Sequence, residues 1–194
     1  MKTKLFSILL TFILLTACTA LPGSPPPTRG TTESATLAPA SSDGTFKLTS
    51  PAVSEGGALP KEFTCDGVSA TLPLAWSGAP TGTQRFAVVM HHIPGPGDTH
   101  WYWVLHNIPA GITNLEKNSS GIGTLGNNSV NSKTQYAPPC SKGPGLKVYT
   151  YTVYALSAEP TFSVAAADVS RDVLLSAIKD ITLASATLNV TYTR

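Results

Sequence analysis

Charged residues are scarce in this chain, which has only 13 Lys and Arg and 11 Asp and Glu among 194 residues. Two of the basic residues, Lys2 and Lys4, lie in an N-terminal segment with the composition of an export signal. Without them, thirteen minus two leaves eleven basic residues against eleven acidic ones. The balance predicts no basic face, and therefore no nucleic-acid partner.

Long apolar runs are also missing. The longest predominantly apolar stretch, residues 5–15, is too short to span a bilayer and lies where an export signal would. It ends in Leu15-Thr16-Ala17-Cys18, which resembles the bacterial lipobox, where the signal is cut before a cysteine that is then acylated. We therefore expect residues 1–17 to be a lipoprotein signal peptide and Cys18 to be lipidated. The alternative is an ordinary secretory signal followed by an incidental cysteine.

Residues 19–42 are rich in Pro, Ser, Thr, Ala and Gly and show no hydrophobic periodicity. Such a segment cannot bury enough apolar surface to fold, so residues 18–42 are predicted to be a lipidated cysteine and a disordered tether. A tether of this length reaches on the order of 25–30 Å. Residues 43–194 are then one domain, held at the cell envelope on the extracytoplasmic side. In a cell with two membranes, we expect it on the outer membrane, facing the periplasm.

Cysteine is rare, with three residues in the chain. If Cys18 carries lipid, Cys65 and Cys140 remain as an even pair in an oxidising compartment, which predicts a disulfide between them. The alternative is a reactive thiol at Cys65.

Motifs for common enzyme classes are absent or incomplete. The sequence has neither a GxxxxGK phosphate loop nor a GxSxG nucleophile elbow, so serine hydrolase chemistry is not expected. Residues 121–126 match GxGxxG, but Asn127 and Asn128 follow in place of a helix and no acidic residue lies about 20 positions on. Nucleotide binding is therefore not predicted.

The remaining pattern is mostly that of β-strands. Residues 85–90 are continuously apolar, as in a central strand covered on both faces. Residues 146–156 and 186–193 are rich in β-branched and aromatic residues, and the second alternates apolar with polar positions. One helix is predicted, with Asp168 or Ser170 as its cap, an end near Asp180, and an apolar stripe of Val169, Val173, Leu174, Ala177 and Ile178.

All four histidines lie in residues 90–109. His91 and His92 are adjacent on a strand, so their side chains should point to opposite faces and only one should enter a given pocket. Strict alternation on the next strand places Tyr102 on one face together with His100, His106 and Val104, and places Trp101, Trp103 and Leu105 on the other. Three interpretations stay open: a pocket wall of neutral imidazoles, structural histidines, or a zinc site completed by Asp98. The two tryptophans are interpreted as core residues.

Six stretches, in order, are similar to the bacterial branch of the phosphatidylethanolamine-binding protein family, also described as Raf-kinase-inhibitor-like proteins. They are PKEFTCDG at 60–67, LPLAWSGAP at 72–80, FAVVM at 86–90, WVLHNIPA at 103–110, YAPPC at 136–140 and YTYTVYAL at 149–156. The resemblance implies a mainly β fold, with a large antiparallel sheet packed on a smaller one and a C-terminal helix. It also implies a cavity for small anions such as phosphate-containing headgroups, with Cys65 and Cys140 near its mouth. Family members act as ligand-regulated inhibitors or scaffolds, and most are not regarded as enzymes.

The sequence departs from the family pattern at that cavity. The usual Asp-Pro-Asp-Ala-Pro is here residues 92–96, HIPGP, so both aspartates are gone and Pro96 is kept. Tyr102 stands where a pocket histidine is usual, with His100 two residues upstream, while Lys147 replaces another histidine and Tyr149 is kept. Losing carboxylates and gaining donors favours an anion, more strongly at low pH, where imidazole becomes charged.

We therefore predict a membrane-anchored, extracytoplasmic, non-catalytic binding protein that uses no cofactor and no metal. The residues predicted to bind its small anionic ligand are His91, His92, Pro96, His100, Tyr102, Pro139, Lys147 and Tyr149. One alternative is an inhibitor or scaffold that contacts a partner protein through the loops of residues 114–145. The other is a metal-dependent hydrolase that uses the histidine cluster.

Overall fold

The structure is a computed structural model, and it describes residues 46–140 and 142–194. The predicted signal peptide, the lipidated Cys18 and the tether lie outside the described residues. Within the described part of the chain, no helix is both long and apolar enough to cross a membrane.

A five-stranded antiparallel sheet forms the larger layer. Its strands follow the spatial order β6-β4-β3-β7-β8. Their bounds are β3 Arg85–Gly95, β4 Asp98–Pro109, β6 Thr124–Leu125, β7 Leu146–Leu156 and β8 Thr182–Thr193. A smaller antiparallel sheet has the order β1-β2-β5, with β1 Lys47–Thr49, β2 Leu74–Ser77 and β5 Asn114–Leu115. The predicted large sheet packed with a smaller one is confirmed.

The central strand β3 contributes to two hydrophobic cores, one on each face of the large sheet. Phe86, Val88 and Met90 pack in the core that includes the small-sheet residues, and Ala87 and Val89 pack in a second core on the other face. All five are at most 1% exposed, which is why the segment reads as a continuous apolar run. Each of the larger side chains contributes on the order of 1.5–3 kcal/mol by leaving water.

The second core is covered by α1, the one α-helix among the described residues, which spans Arg171–Ile178. Ser170 is the N-cap: its side-chain oxygen accepts a hydrogen bond from the backbone N–H of Val173 at 3.2 Å. Leu174 and Ile178 are the buried residues of the helix. The predicted helix is confirmed in position, with Ser170 and not Asp168 as the cap, because residues 166–168 form a separate 3-10 turn.

Strand β8 follows the helix directly and closes the sheet at its edge. Its even-numbered residues from 184 to 192 are buried, and the residues between them are partly or fully exposed, as the alternating pattern predicted. The strand begins at Thr182, four residues before the predicted start, because its pairing with β7 continues to the far end of that strand.

The predicted disulfide is present. Cys65 and Cys140 are bonded, and the backbone N–H of Cys65 also donates to the carbonyl of Pro139 at 3.0 Å. The thiol alternative at Cys65 is therefore not what the structure shows. The bond joins the loop after the 3-10 helix Lys61–Phe63 to the segment that precedes β7, and it closes a span of 75 residues.

Candidate functional site

A β-bulge at Tyr102 sets the geometry of the histidine region. Met90 pairs with Trp103 and His91 pairs with Trp101, so Tyr102 is an extra residue in β4. Its carbonyl instead accepts a hydrogen bond from the N–H of Ala137, at 2.8 Å, in the segment that precedes β7. At the bulge, the β4 backbone is therefore hydrogen-bonded to the segment that carries Cys140.

The bulge changes which side chains share a face. Tyr102 and Trp103 both join the core between the sheets, whereas Val104 lies in the core beneath α1 and Trp101 packs against it. The predicted alternation is thus wrong beyond Tyr102, because it assumed a regular strand.

His106 lies away from the predicted site for the same reason. Its ring packs against Phe162, with the centroids 4.7 Å apart, on the face that α1 covers. Both ring nitrogens are buried and have no hydrogen-bond partner among the described residues. Burial lowers the pKa of His106, against a smaller opposing effect of Glu159. His106 therefore has the character of a structural, neutral histidine.

A cavity of about 360 Å³ opens at the end of the large sheet where β3 finishes and β7 begins. We call it the His92 pocket. It is lined by His92, Pro94, His100, Tyr102, Ser129, Val130, Pro138, Cys140, Lys142, Lys147 and Tyr149. It therefore combines four cationic or ionisable nitrogen groups with phenol and hydroxyl groups.

Two tyrosines form the buried side of the His92 pocket. The rings of Tyr102 and Tyr149 pack edge to face, with centroids 5.2 Å apart, and the ring of His92 lies 5.2 Å from that of Tyr149. Tyr149 is 1% exposed and Tyr102 is 8% exposed. Burial raises the pKa of both phenols, so they stay neutral and can donate hydrogen bonds.

Each pocket histidine has one polar partner. His92 donates from Nδ1 to the carbonyl oxygen of Val148 at 2.8 Å, because a carbonyl can only accept. His100 Nε2 lies 3.3 Å from the carboxylate of Asp98, and both side chains are about half-exposed. These contacts fix the orientation of both rings and leave one nitrogen of each unbonded by the described residues.

Positive charge dominates the wall of the His92 pocket. Lys142 and Lys147 line it, and no carboxylate is among its lining residues within the described chain. Asp98 lies beside it but is paired with His100. The charge and the hydroxyl donors together suit a small anion.

The structure brings together five of the eight residues predicted to bind the ligand: His92, His100, Tyr102, Lys147 and Tyr149. Pro96 and Pro139 are not among the lining residues. Pro94, two positions before Pro96, and Pro138, the residue directly before Pro139, line the pocket instead.

His91 is on the opposite face of the sheet from the His92 pocket, so the structure does not bring it to the site. Its Nδ1 is buried without a hydrogen-bond partner in the described chain. Burial, and then the charges of Arg171 and His92, lower the pKa of His91 from 6.5 to about 4. The ring is therefore neutral near pH 7.

Sequence reasoning missed Ser129, Val130 and Lys142. They reach the pocket because the backbone N–H of Trp101 donates to Ser129 Oγ at 2.8 Å and because Cys140 is held by the disulfide. The pairing of Cys140 was the available signal for this segment. The direction of the rest of the loop depends on contacts with β4 that have no local pattern.

A second, larger cavity of about 520 Å³ lies along the end of β8. Its charged lining groups are Lys61 and Asp66. Asp66 already accepts a hydrogen bond from the Tyr192 hydroxyl and forms an ion pair with Arg194 at 3.1 Å. Because this carboxylate is engaged and fewer polar groups converge there, the smaller His92 pocket is the better candidate site.

The described residues contain no group of three or more His, Cys, Asp or Glu side chains that could hold a metal ion. His91 and His106 lie on the other face from His92 and His100. Within the described chain, the metal-dependent hydrolase predicted as an alternative therefore has no group of side chains that could bind its metal.

The fold and the pocket are consistent with a small-molecule binding protein, in which a rigid β scaffold presents converging polar groups. Residues 49–193 match the family described as phosphatidylethanolamine-binding protein. The chain belongs to this family, as the sequence motifs predicted.

Relatives of known sequence and structure agree. A UPF0098 protein of Methanothermobacter thermautotrophicus is 31% identical over 116 residues, covering 57% of this chain and 76% of the relative. A UPF0098 protein of Chlamydia muridarum is 28% identical over 152 residues, covering 76% and 98%. The crystal structure of Escherichia coli YbcL, titled a new member of the mammalian PEBP family, has a TM-score of 0.69 and 26% identity, covering 77% of this chain and 98% of that one. A putative PEBP homologue, CT736 of Chlamydia trachomatis, also has a TM-score of 0.69, with 25% identity and coverage of 77% and 97%.

Proposed function

We propose that this protein is a lipid-anchored binding protein of the cell envelope, and that the His92 pocket binds a small phosphate-type anion. One observation carries the proposal: Lys142, Lys147 and the Tyr102 hydroxyl converge on a cavity without a lining carboxylate. An anion placed there meets permanent positive charge and neutral donors at once, and it meets no like charge from the wall.

The size of the pocket supports a headgroup-sized ligand. At about 360 Å³, it is at the small end of the usual range for ligand cavities, roughly 300–1,000 Å³. It is also braced by the disulfide, since Cys140 lines it. A preformed, cross-linked wall lowers the entropy that binding would otherwise cost.

Membrane anchoring is proposed from the sequence Leu15-Thr16-Ala17-Cys18 and from the composition of the tether. Two or more acyl chains at Cys18 would hold the chain stably at a bilayer. Mass spectrometry of the chain expressed in a bacterium should find an acylated N-terminal Cys18. Replacing Cys18 by Ser should release the protein from the membrane fraction, and an unlipidated chain that still sediments with membranes would contradict the anchor.

Ligand binding is tested by titrating inorganic phosphate and phosphoethanolamine into the full chain in a non-ionic detergent, by calorimetry. We expect saturable binding at millimolar concentration or below. Lys147→Gln should weaken it by roughly tenfold, because one charge-assisted contact is lost. The matched control is Lys179→Gln, an exposed lysine just after α1. Equal loss in both variants, or no binding by the parent chain, would contradict the proposal.

A further inference from the structure

The polar groups that line the His92 pocket differ in whether they donate or accept hydrogen bonds, and this difference is separate from their charge. The lysine ammonium groups can only donate, and the hydroxyls of Tyr102 and Tyr149 can rotate to donate or accept. The Ser129 hydroxyl already donates to the carbonyl oxygen of Trp101 at 3.0 Å. These groups treat any oxyanion alike. A group that can only accept would distinguish an anion that carries a proton from one that does not.

The ring of His92 is such a group while it is neutral. Its Nδ1 must carry the proton, because the partner at 2.8 Å is the backbone carbonyl of Val148. The neutral ring therefore has a lone pair on Nε2, and no described residue donates to that nitrogen. Because His92 lines the cavity and its Nδ1 edge is turned to β7, Nε2 is the ring nitrogen left for a ligand.

We propose that the His92 pocket selects oxyanions that carry their own hydrogen-bond donor, above all the P–OH of a phosphate, over fully deprotonated anions such as sulfate. The inference rests on the proposed function. The P–OH donates to His92 Nε2 while the other phosphate oxygens accept from Lys142, Lys147 and Tyr102. Sulfate has the same size and tetrahedral shape, but it presents a lone pair to the lone pair of His92.

The selection depends on the protonation of His92. A charged ring becomes a donor at both nitrogens, so it accepts sulfate as readily as phosphate. The other titratable or charged groups that face it are Lys147 and Tyr149 of β7, Lys142 of the preceding loop, and Tyr102 and His100 of β4, with His100 paired to Asp98. His91 and Arg171 lie on the opposite face of the sheet.

His100 is the other lining residue with an imidazole lone pair, on Nδ1 when its Nε2 is bonded to Asp98. Its side chain is 50% exposed, so water can satisfy that nitrogen whichever anion is bound. His100→Phe is therefore the matched control for His92→Phe. Both variants remove an imidazole from the same wall and keep a ring.

The test measures the affinity of the full chain, in a non-ionic detergent, for inorganic phosphate and for sulfate. Measurements are made at about pH 8, where both anions are mainly dianions, so charge is matched, and where hydrogen phosphate still carries one P–OH. We expect phosphate to bind roughly tenfold tighter than sulfate under these conditions.

Two variants and a measurement of the His92 tautomer complete the test. His92→Phe should abolish the preference at high pH, and His100→Phe should keep it. Nitrogen-15 NMR of the imidazoles should show His92 with its proton on Nδ1. Equal affinity for both anions at high pH, or a proton on Nε2, would overturn the selection while leaving anion binding intact. Absence of binding for both anions would instead overturn the proposed function, and the selection with it.

A further experiment distinguishes a phosphate carried by a lipid from a soluble phosphate. Vesicles of phosphatidylcholine doped with phosphatidic acid present a phosphomonoester on a lipid, and inorganic phosphate is its soluble counterpart. This comparison is made at about pH 6.5, because a phosphomonoester keeps a P–OH only in its monoanionic form. If the pocket takes the lipid headgroup, binding of the Cys18→Ser chain to doped vesicles should be competed by free phosphate and lost in His92→Phe. Phosphate binding without vesicle binding assigns the site to a soluble phosphate. Either result supports the selection, whereas vesicle binding that is unchanged in His92→Phe counts against it.

Discussion

His91 and His92 are neighbours in the chain and lie in different environments. His92 faces the pocket, with its Nδ1 bonded to Val148 and its ring against Tyr149. His91 faces the core beneath α1, where its Nδ1 is buried without a described partner and its pKa falls to about 4. The comparison shows that one residue type lines a cavity on one face of β3 and packs in a core on the other. Each face can therefore be perturbed separately.

The largest expected effect on stability comes from removing the disulfide, which lies on the pocket face. Replacing Cys65 and Cys140 by Ser should lower the free energy of unfolding by about 4 kcal/mol, because the unfolded chain regains the freedom of the 75-residue span. Phosphate affinity should fall as well, since Cys140 lines the pocket. Denaturant titration and calorimetry check both effects. A variant that kept its stability would show that the bond does not constrain this face.

The next effect is on the opposite face and depends on pH. Because the pKa of His91 is depressed from 6.5 to about 4, the unfolded chain binds a proton that the folded chain resists. Stability is therefore complete above about pH 6.5 and is lost as the pH falls towards 4, with an upper limit of about 3 kcal/mol that partial solvent contact reduces.

Replacing His91 by Leu should remove this acid-dependent loss and leave phosphate binding unchanged at neutral pH. Denaturant midpoints measured between about pH 7 and about pH 4 give the comparison. His100→Gln, which removes a histidine from the pocket face, is measured beside it as the control. An unchanged acid slope in His91→Leu would show that other groups cause it.

A smaller effect should follow from the helix cap. Ser170→Ala removes the side-chain acceptor of the Val173 N–H and should destabilise the protein by about 1 kcal/mol. Because α1 covers the face away from the His92 pocket, phosphate affinity should stay within error. Thermal unfolding and calorimetry on the same sample separate the two quantities. A change in affinity would show that the two faces are coupled.

The smallest expected effect isolates the charge next to His91. Arg171 is the second cause of its lowered pKa, after burial. Arg171→Gln should therefore raise the pKa of His91 towards 6.5 without restoring it, and should reduce the acid-dependent loss of stability by about 0.5 kcal/mol. NMR titration of the His91 ring measures this. A pKa that stays near 4 would show that Arg171 is not among its causes.

Much of the scaffold could be predicted because its signals are local. The continuous apolar run of β3, the alternation of β8 and the apolar stripe of α1 each report burial through side chains a few residues apart. The cysteine pair was predictable from number and compartment. Five pocket residues followed from the family motifs, which already relate distant parts of the chain.

The predictions that failed concern features that depend on contacts between distant segments. Strict alternation missed the bulge at Tyr102, whose carbonyl bonds to Ala137, a residue 35 positions further along the chain. Pro96 and Pro139 do not line the pocket, because the backbones of the turn and the loop are directed by such contacts. Lys142 and Ser129 were missed for the same reason.

The amino-acid sequence alone determined the near-neutral charge, the strand and helix periods, the cysteine pairing and the resemblance to one family, since all of these are carried by residue type and spacing. Only the tertiary structure decided that His92, and not His91, faces the pocket, and which nitrogen of its ring is free. Those outcomes depend on the direction of a β-strand at a bulge and on one backbone carbonyl of a neighbouring strand, and neither is encoded locally.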